Sequence, residues 1–143
     1  MSQPQPHPGP PSVLWLLFNP IGRVSREPYW LGFALVWALM GIPFNIWIRT
    51  IDFSGGIEEL ALADFVESNA LIPILLFAVQ WVELALVIKR LQDRGLTGLL
   101  AILVFLPIIN VLFIIALGLI PGEDRPNRYG PYANSRWQRP GKT

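Results

Sequence analysis

The residues that could do chemistry in this chain are few, and their spacing suits catalysis poorly. The single histidine, His7, stands in a proline-rich stretch, and there is no cysteine. One histidine without a thiol partner does not make a zinc site, and a proline-rich tail does not hold a general base in place. No glycine-rich phosphate cradle, nucleophile elbow or helical pair of metal ligands occurs, and Gly55-Gly56 reads as a loop hinge. The expectation is a chain with no catalytic residue, no metal and no cofactor. The absence of cysteine also excludes a disulfide framework.

Glu83 is the one ionisable side chain inside a long apolar stretch, which makes it a functional candidate. Counted from Ile88 it lies about 8 Å from the end of that stretch. Arg90 follows seven residues later on nearly the same face. The plainer reading is a carboxylate directed toward Arg90, interfacial water or Gln80; the sharper one is a proton or cation relay. Asn45, Gln80 and Asn110 are the other polar candidates within apolar segments. Hydrogen bonds between helices give each a packing role of on the order of 1 kcal/mol. A transport pathway requires them to line up with Glu83.

The elements that would carry these residues follow from charge placement. Of the 143 residues 52% are hydrophobic and 15% charged, against about a quarter charged in soluble domains. A chain this short cannot hide so much apolar surface from water. With a net charge of only +1 and no dense basic face, it is not a nucleic-acid binder either. Residues 29–48 carry no charge, 69–88 carry only Glu83, and 95–122 carry none. Twenty residues of helix span about 30 Å, the thickness of the hydrocarbon layer. The fold class expected is therefore all-α, a polytopic membrane helical bundle. Its three hydrophobic segments lie at about 29–48, 69–88 and 97–120. They form one membrane domain over 14–131, between a disordered proline-rich tail (1–13) and a basic, disordered tail (132–143).

Local signals refine this picture. Val13 to Phe18 is too short for a secretory signal and reads as an interfacial segment with Trp15 at headgroup level. Ser25 is placed to N-cap the first span, and Pro28 is tolerated in its first turn. Trp30 and Trp47 stand near its two ends, and Gly41 with Pro43 implies a kink. The loop 49–68 holds five of the ten acids, and the spacing within 57–66 predicts a short helix on the membrane surface. Gly95 suits a left-handed end to the second span, and Thr97 can cap the helix that follows. The third segment either crosses as one tilted helix or breaks at Pro107 into a re-entrant hairpin. Length favours crossing. Charge favours return, because ten of the eleven bases then share one face. Since late charges steer topology less than early ones, the balance tips to crossing. The same count of bases puts the N-terminus in the cytoplasm and the 49–68 loop outside, with the C-terminal side left open.

Three ordered segments carry a family resemblance. They are FNPIGRVSREPYW (18–30), KRLQDRGLTG (89–98), and the run from Leu106-Pro107-Ile108 to Asn127-Arg128-Tyr129-Gly130. Together they resemble the small bacterial inner-membrane proteins grouped as domain of unknown function 805, over about residues 14–131. The matching positions are Gly22, Arg23, Ser25, Arg26, Tyr29 and Trp30, then Arg90, Leu91, Asp93, Gly95 and Gly98, and finally Asn127, Arg128, Tyr129 and Gly130. Gln92 replaces the family's usual histidine, and Pro131-Tyr132 its usual Asp-Pro. The resemblance implies an inner-membrane location and no established biochemical activity. From the residues themselves, Asp93 is expected to pair with Arg23 or Arg26 and so to set the first span against the second. With a returning third segment Asn127 to Gly130 would join that cluster.

The function expected is a non-enzymatic structural, assembly or interaction module. The alternative is a small transporter, channel component or permeability factor using Asn45, Gln80, Glu83 and Asn110. Expected partners are the lipid bilayer, anionic lipid headgroups that meet the juxtamembrane bases including Lys89, and a second copy or another membrane protein. Glu58 and Glu59 offer an acidic docking face on the outer loop.

Overall fold

The computed structural model describes residues 12–51, 54 and 62–136. The proline-rich start with His7, the loop acids Glu58 and Glu59, and residues 137–143 lie outside them. Among the described residues, five α-helices and one named 3₁₀ helix follow in order. They are α1 (Val13–Phe18), α2 (Arg26–Ile48), α3 (Leu62–Glu67), α4 (Ile72–Asp93), the 3₁₀ helix (Gly98–Phe105) and α5 (Ile109–Leu119). No strand occurs among the described residues; Asn127 and Gly130 form a single antiparallel bridge.

α2 and α4 have 23 and 22 residues and are apolar enough to cross a membrane. Each is about 33–35 Å long. Only 17% of the apolar window of α2 and 33% of that of α4 is buried within the protein. The remaining side chains, among them Leu31, Leu35, Leu39, Ile42 and Ile46, point outward, as they do when lipid is the solvent. α2 runs unbroken through Pro43.

α4 is the hub of the bundle, in contact with α1, α2, α3, the 3₁₀ helix and α5. The packed core joins Tyr29, Phe33 and Val36 of α2 to Val82, Leu86, Val87 and Leu91 of α4. Ala101, Val104, Ile114 and Leu117 complete it from the last two helices. Phe65 of α3 is buried against Phe44 and Trp47, with ring centroids 5.4 and 5.1 Å away. The short helix predicted within 57–66 is thus seen as α3; residues 57–61 lie outside the described set.

The third segment is not one continuous helix, the form that length favoured. It breaks at Pro107 into the 3₁₀ helix and α5, each only about 16 Å long. At the tip Ile108 adopts φ 70° and ψ −53°, and the Ile109 amide donates to the Pro107 carbonyl at 2.8 Å. That is a γ-turn with positive φ, a strained conformation for a β-branched residue. α5 then runs back, and the chain after it returns to the end of α4: the Glu123 amide donates to the Asp93 carbonyl at 3.0 Å. Gly95, at φ +69°, makes the left-handed end of α4 that its sequence position suggested. The Thr97 hydroxyl accepts from the Leu99 amide and caps the 3₁₀ helix.

Residues 132–136 are not a free tail. The Ser135 carbonyl accepts from the Arg23 amide at 3.0 Å, so the folded unit extends past Gly130.

Candidate functional site

Three surface segments, 19–25, 89–95 and 121–135, meet at one end of the bundle around charged side chains that are wholly buried. Asp93 lies at the centre. Its Oδ1 accepts from Arg23 Nε at 3.1 Å, and its Oδ2 from Arg90 Nη1 at 2.7 Å. Arg23, Arg90, Lys89 and Asp93 are all 0% exposed. Three cations face one anion here, so backbone carbonyls must supply the remaining compensation.

They do so at helix ends and in the connecting segments. Arg90 Nε donates to the Leu117 carbonyl at 2.9 Å, Nη1 to Val24 O at 3.1 Å, and Nη2 to Ile120 O. The last turn of α5 ends on this guanidinium. Arg23 Nη1 donates to Arg125 O at 2.8 Å and Gly130 O at 3.1 Å, and Nη2 to Glu123 O. Lys89 Nζ donates to the carbonyls of Trp15, Leu16 and Asn19, closing the end of α1, and sits 4.9 Å from the Trp15 ring centroid. Unpaired carbonyls at a helix C-terminus carry partial negative charge and attract cations. The buried cations thus tie stretches of chain that are far apart in sequence to the end of α4.

Two expectations change at this point. Lys89 is not a headgroup anchor: its ammonium is consumed inside the protein. Trp15 is buried under that ammonium, inside the protein. A lysine at the end of an apolar run reads as interfacial because sequence does not show a second helix end folding over it.

The other motif positions gather around the same cluster. The Gly22 amide donates to Gln92 Oε1 at 3.0 Å, so the residue that replaces histidine acts as an acceptor. Ser25 precedes α2 as its N-cap, but its hydroxyl makes no cap bond to the helix. The Asn134 side chain grips Ser25 instead: Oδ1 accepts from the amide at 2.8 Å, and Nδ2 donates to Oγ at 2.9 Å. Asn127 Nδ2 donates to Gln92 O at 3.0 Å and Glu123 Oε2 at 3.2 Å, while its Oδ1 accepts from the Tyr129 amide. Tyr29 Oη donates to Ile114 O at 3.0 Å and Trp30 Nε1 to Gly118 O at 3.3 Å, which ties α2 to α5. Leu91 is buried in the core, and Gly98 lies against Ile88. Gly122 admits no side chain, because a Cβ there would fall 2.1 Å from Asp93 Oδ2. Arg26 and Arg128 are exposed, Arg128 over the Tyr129 ring at 4.7 Å. Of the two arginines expected to meet Asp93, Arg23 does so.

The intramembrane polar residues do not line up. Asn45 is exposed near the far end of α2, where its Oδ1 accepts from Arg49 Nε at 2.9 Å. Glu83 faces the Asn110 side chain, not Arg90. Because α4 continues to Asp93, Glu83 is about 15 Å from either end of the helix and not close to one. Gln80 Nε2 and Asn110 Oδ1 are buried without a hydrogen-bond partner. Among the described residues, no three His, Cys, Asp or Glu side chains converge as metal ligands would.

The chain is similar to the inner membrane protein YhaI of Escherichia coli (strain K12). They are 31% identical over 109 residues, which cover 76% of this chain and 80% of that protein. YhaI of Escherichia coli O157:H7 matches to the same extent. No solved structure matches. The model of the family described as protein of unknown function (DUF805) matches residues 17–131, and all three motif segments fall in that range. With its two membrane-length helices and its inner-membrane relatives, this chain is an inner-membrane protein that belongs to the DUF805 family.

Proposed function

We propose that the protein is a non-enzymatic module of the inner membrane with a structural, assembly or interaction role. In this reading its N-terminus and its returning C-terminal segment are both cytoplasmic, and the loop 49–68 is external. One observation carries the proposal. The most elaborate polar assembly in the chain spends its donors on the chain's own carbonyls, so it acts as a clamp and holds no poised reactive group. The cytoplasmic assignment is supported by bases: Arg23, Arg26, Lys89, Arg90, Arg94, Arg125, Arg128 and Arg136 share the clamped end, and among the described residues only Arg49 stands beyond the other.

The alternative, a permeability factor, is favoured by Glu83 at mid-helix with unpartnered amides nearby. Against it, Asn45 sits apart with Arg49.

The test is flux of protons and monovalent cations through liposomes holding the purified chain. The module reading expects flux equal to that of empty liposomes. Flux that disappears in Glu83→Gln would replace it with the alternative. Reporter fusions at Gly56 and at the C-terminus test the orientation: phosphatase activity is expected at the first, cytoplasmic fluorescence at the second.

A further inference from the structure

Halfway along α4 a cavity of about 210 Å³ lies between α2, α4 and α5, lined by Trp37, Glu83, Asn110, Val111, Ile114 and Ile115. Trp37, Val111 and Ile115 are exposed on the outer surface. In a bilayer the cavity therefore opens sideways onto acyl chains.

The polar groups at its floor are the Glu83 carboxyl and the Asn110 side-chain amide. Asn110 Oδ1 is buried with no donor to meet it. Donors nearby are committed elsewhere or fall short: the Asn110 amide nitrogen is already turned to Glu83, which leaves its own Oδ1 unmatched. Arg90 is spent on Asp93 and three carbonyls, and the Tyr29 hydroxyl donates to Ile114 O. Gln80 Nε2, one turn earlier on α4, has no partner at all. An intramembrane carboxylate and an unmatched carbonyl oxygen are both costly in apolar surroundings. A ligand that brings a positive charge and an N–H would relieve both. The Trp37 ring adds a wall that favours a cation over a neutral group. The other walls are aliphatic, and the volume equals that of about seven liquid waters. A hydrated inorganic ion does not arrive through acyl chains, whereas an amphiphile does.

We infer that this cavity binds the ammonium head of a lipophilic amine. Glu83 is its counter-charge, Asn110 Oδ1 accepts its N–H, and its apolar tail lies along Val111 and Ile115 toward the lipid. This goes beyond the module reading, since binding requires no flux.

The test uses the full chain in phosphatidylcholine nanodiscs with N,N-dimethyloctylamine as probe, a tertiary amine that cannot be acylated. Dicyclohexylcarbodiimide adds to a carboxyl in apolar surroundings, and mass spectrometry reads the adduct at Glu83. The probe is expected to slow that modification at least about tenfold, whereas octanol leaves it unchanged. Saturable binding of the probe, read by calorimetry, is expected to weaken at least about tenfold in Glu83→Gln and in Asn110→Leu. An unchanged modification rate overturns the inference on the unaltered chain, whether or not either variant folds. So does equal binding by a folded Glu83→Gln. A dimeric chain whose Glu83 is shielded before any probe is added overturns it in favour of a second copy as occupant.

Discussion

The two ends of the bundle are built on opposite principles. At one end, four charged side chains are withdrawn from solvent and bound to one another and to carbonyls from three stretches of chain. At the other, α2 ends in the exposed residues Asn45, Arg49 and Thr50, whose bonds stay within a single turn of helix. The contrast teaches where a membrane protein of this size can specify its shape. Between acyl chains, one apolar contact is nearly as good as another, so burial alone chooses weakly among arrangements. At the membrane surface a mispaired charge or carbonyl is expensive. Uniqueness is therefore concentrated at the clamped end.

The sharpest way to break this contrast is Asp93→Ala. It leaves Arg23 and Arg90 buried side by side without an anion, a loss of about 3–5 kcal/mol. The expected outcome is a sharp fall in membrane abundance and in the detergent melting temperature. A variant as stable as the parent would remove the clamp from the account.

Lys89→Met keeps the apolar stem and removes the ammonium, leaving carbonyls at the end of α1 unmatched. About 2–3 kcal/mol is expected, concentrated on α1. Hydrogen exchange should therefore rise at residues 13–19 well before it rises in α4. Asn134→Ala removes only the grip on Ser25 and is expected to cost about 1 kcal/mol, seen as faster exchange of the Ser25 amide. At the far end, Asn45→Leu is expected to change stability by less than about 0.5 kcal/mol. A larger loss there would show that the two ends are less different than their bonding suggests.

Much of the frame was legible from charge placement. Gaps between charged residues located α2 and α4, Gly95 and Thr97 marked the turn that follows, and the pairing of Asp93 with Arg23 followed from two loops on one face. What stayed hidden depends on contacts between residues far apart in the chain. Lys89 reads as a surface anchor until α1 is seen ending on it, 70 to 74 residues away in sequence. Trp15 reads as interfacial for the same reason. Asn134 and Ser135 have no local pattern that announces their bonds to Ser25 and Arg23. For the third segment length and charge argued in opposite directions, and length was given the greater weight. The γ-turn at Ile108 breaks the segment with a residue that carries no turn propensity. Glu83 was misplaced in depth because the end of α4 was taken at the first cation, and the protein buries that cation.

The arrangement of partners around Arg23 also orders events during synthesis. Its guanidinium is made early, yet the carbonyls that satisfy it belong to Glu123, Arg125 and Gly130, some hundred positions later. Until those residues leave the ribosome, the first helices can be inserted but not locked, and a prematurely terminated chain would keep its arginine thirsty for acceptors. Closure of the bundle around this arginine therefore waits for residues 123–130.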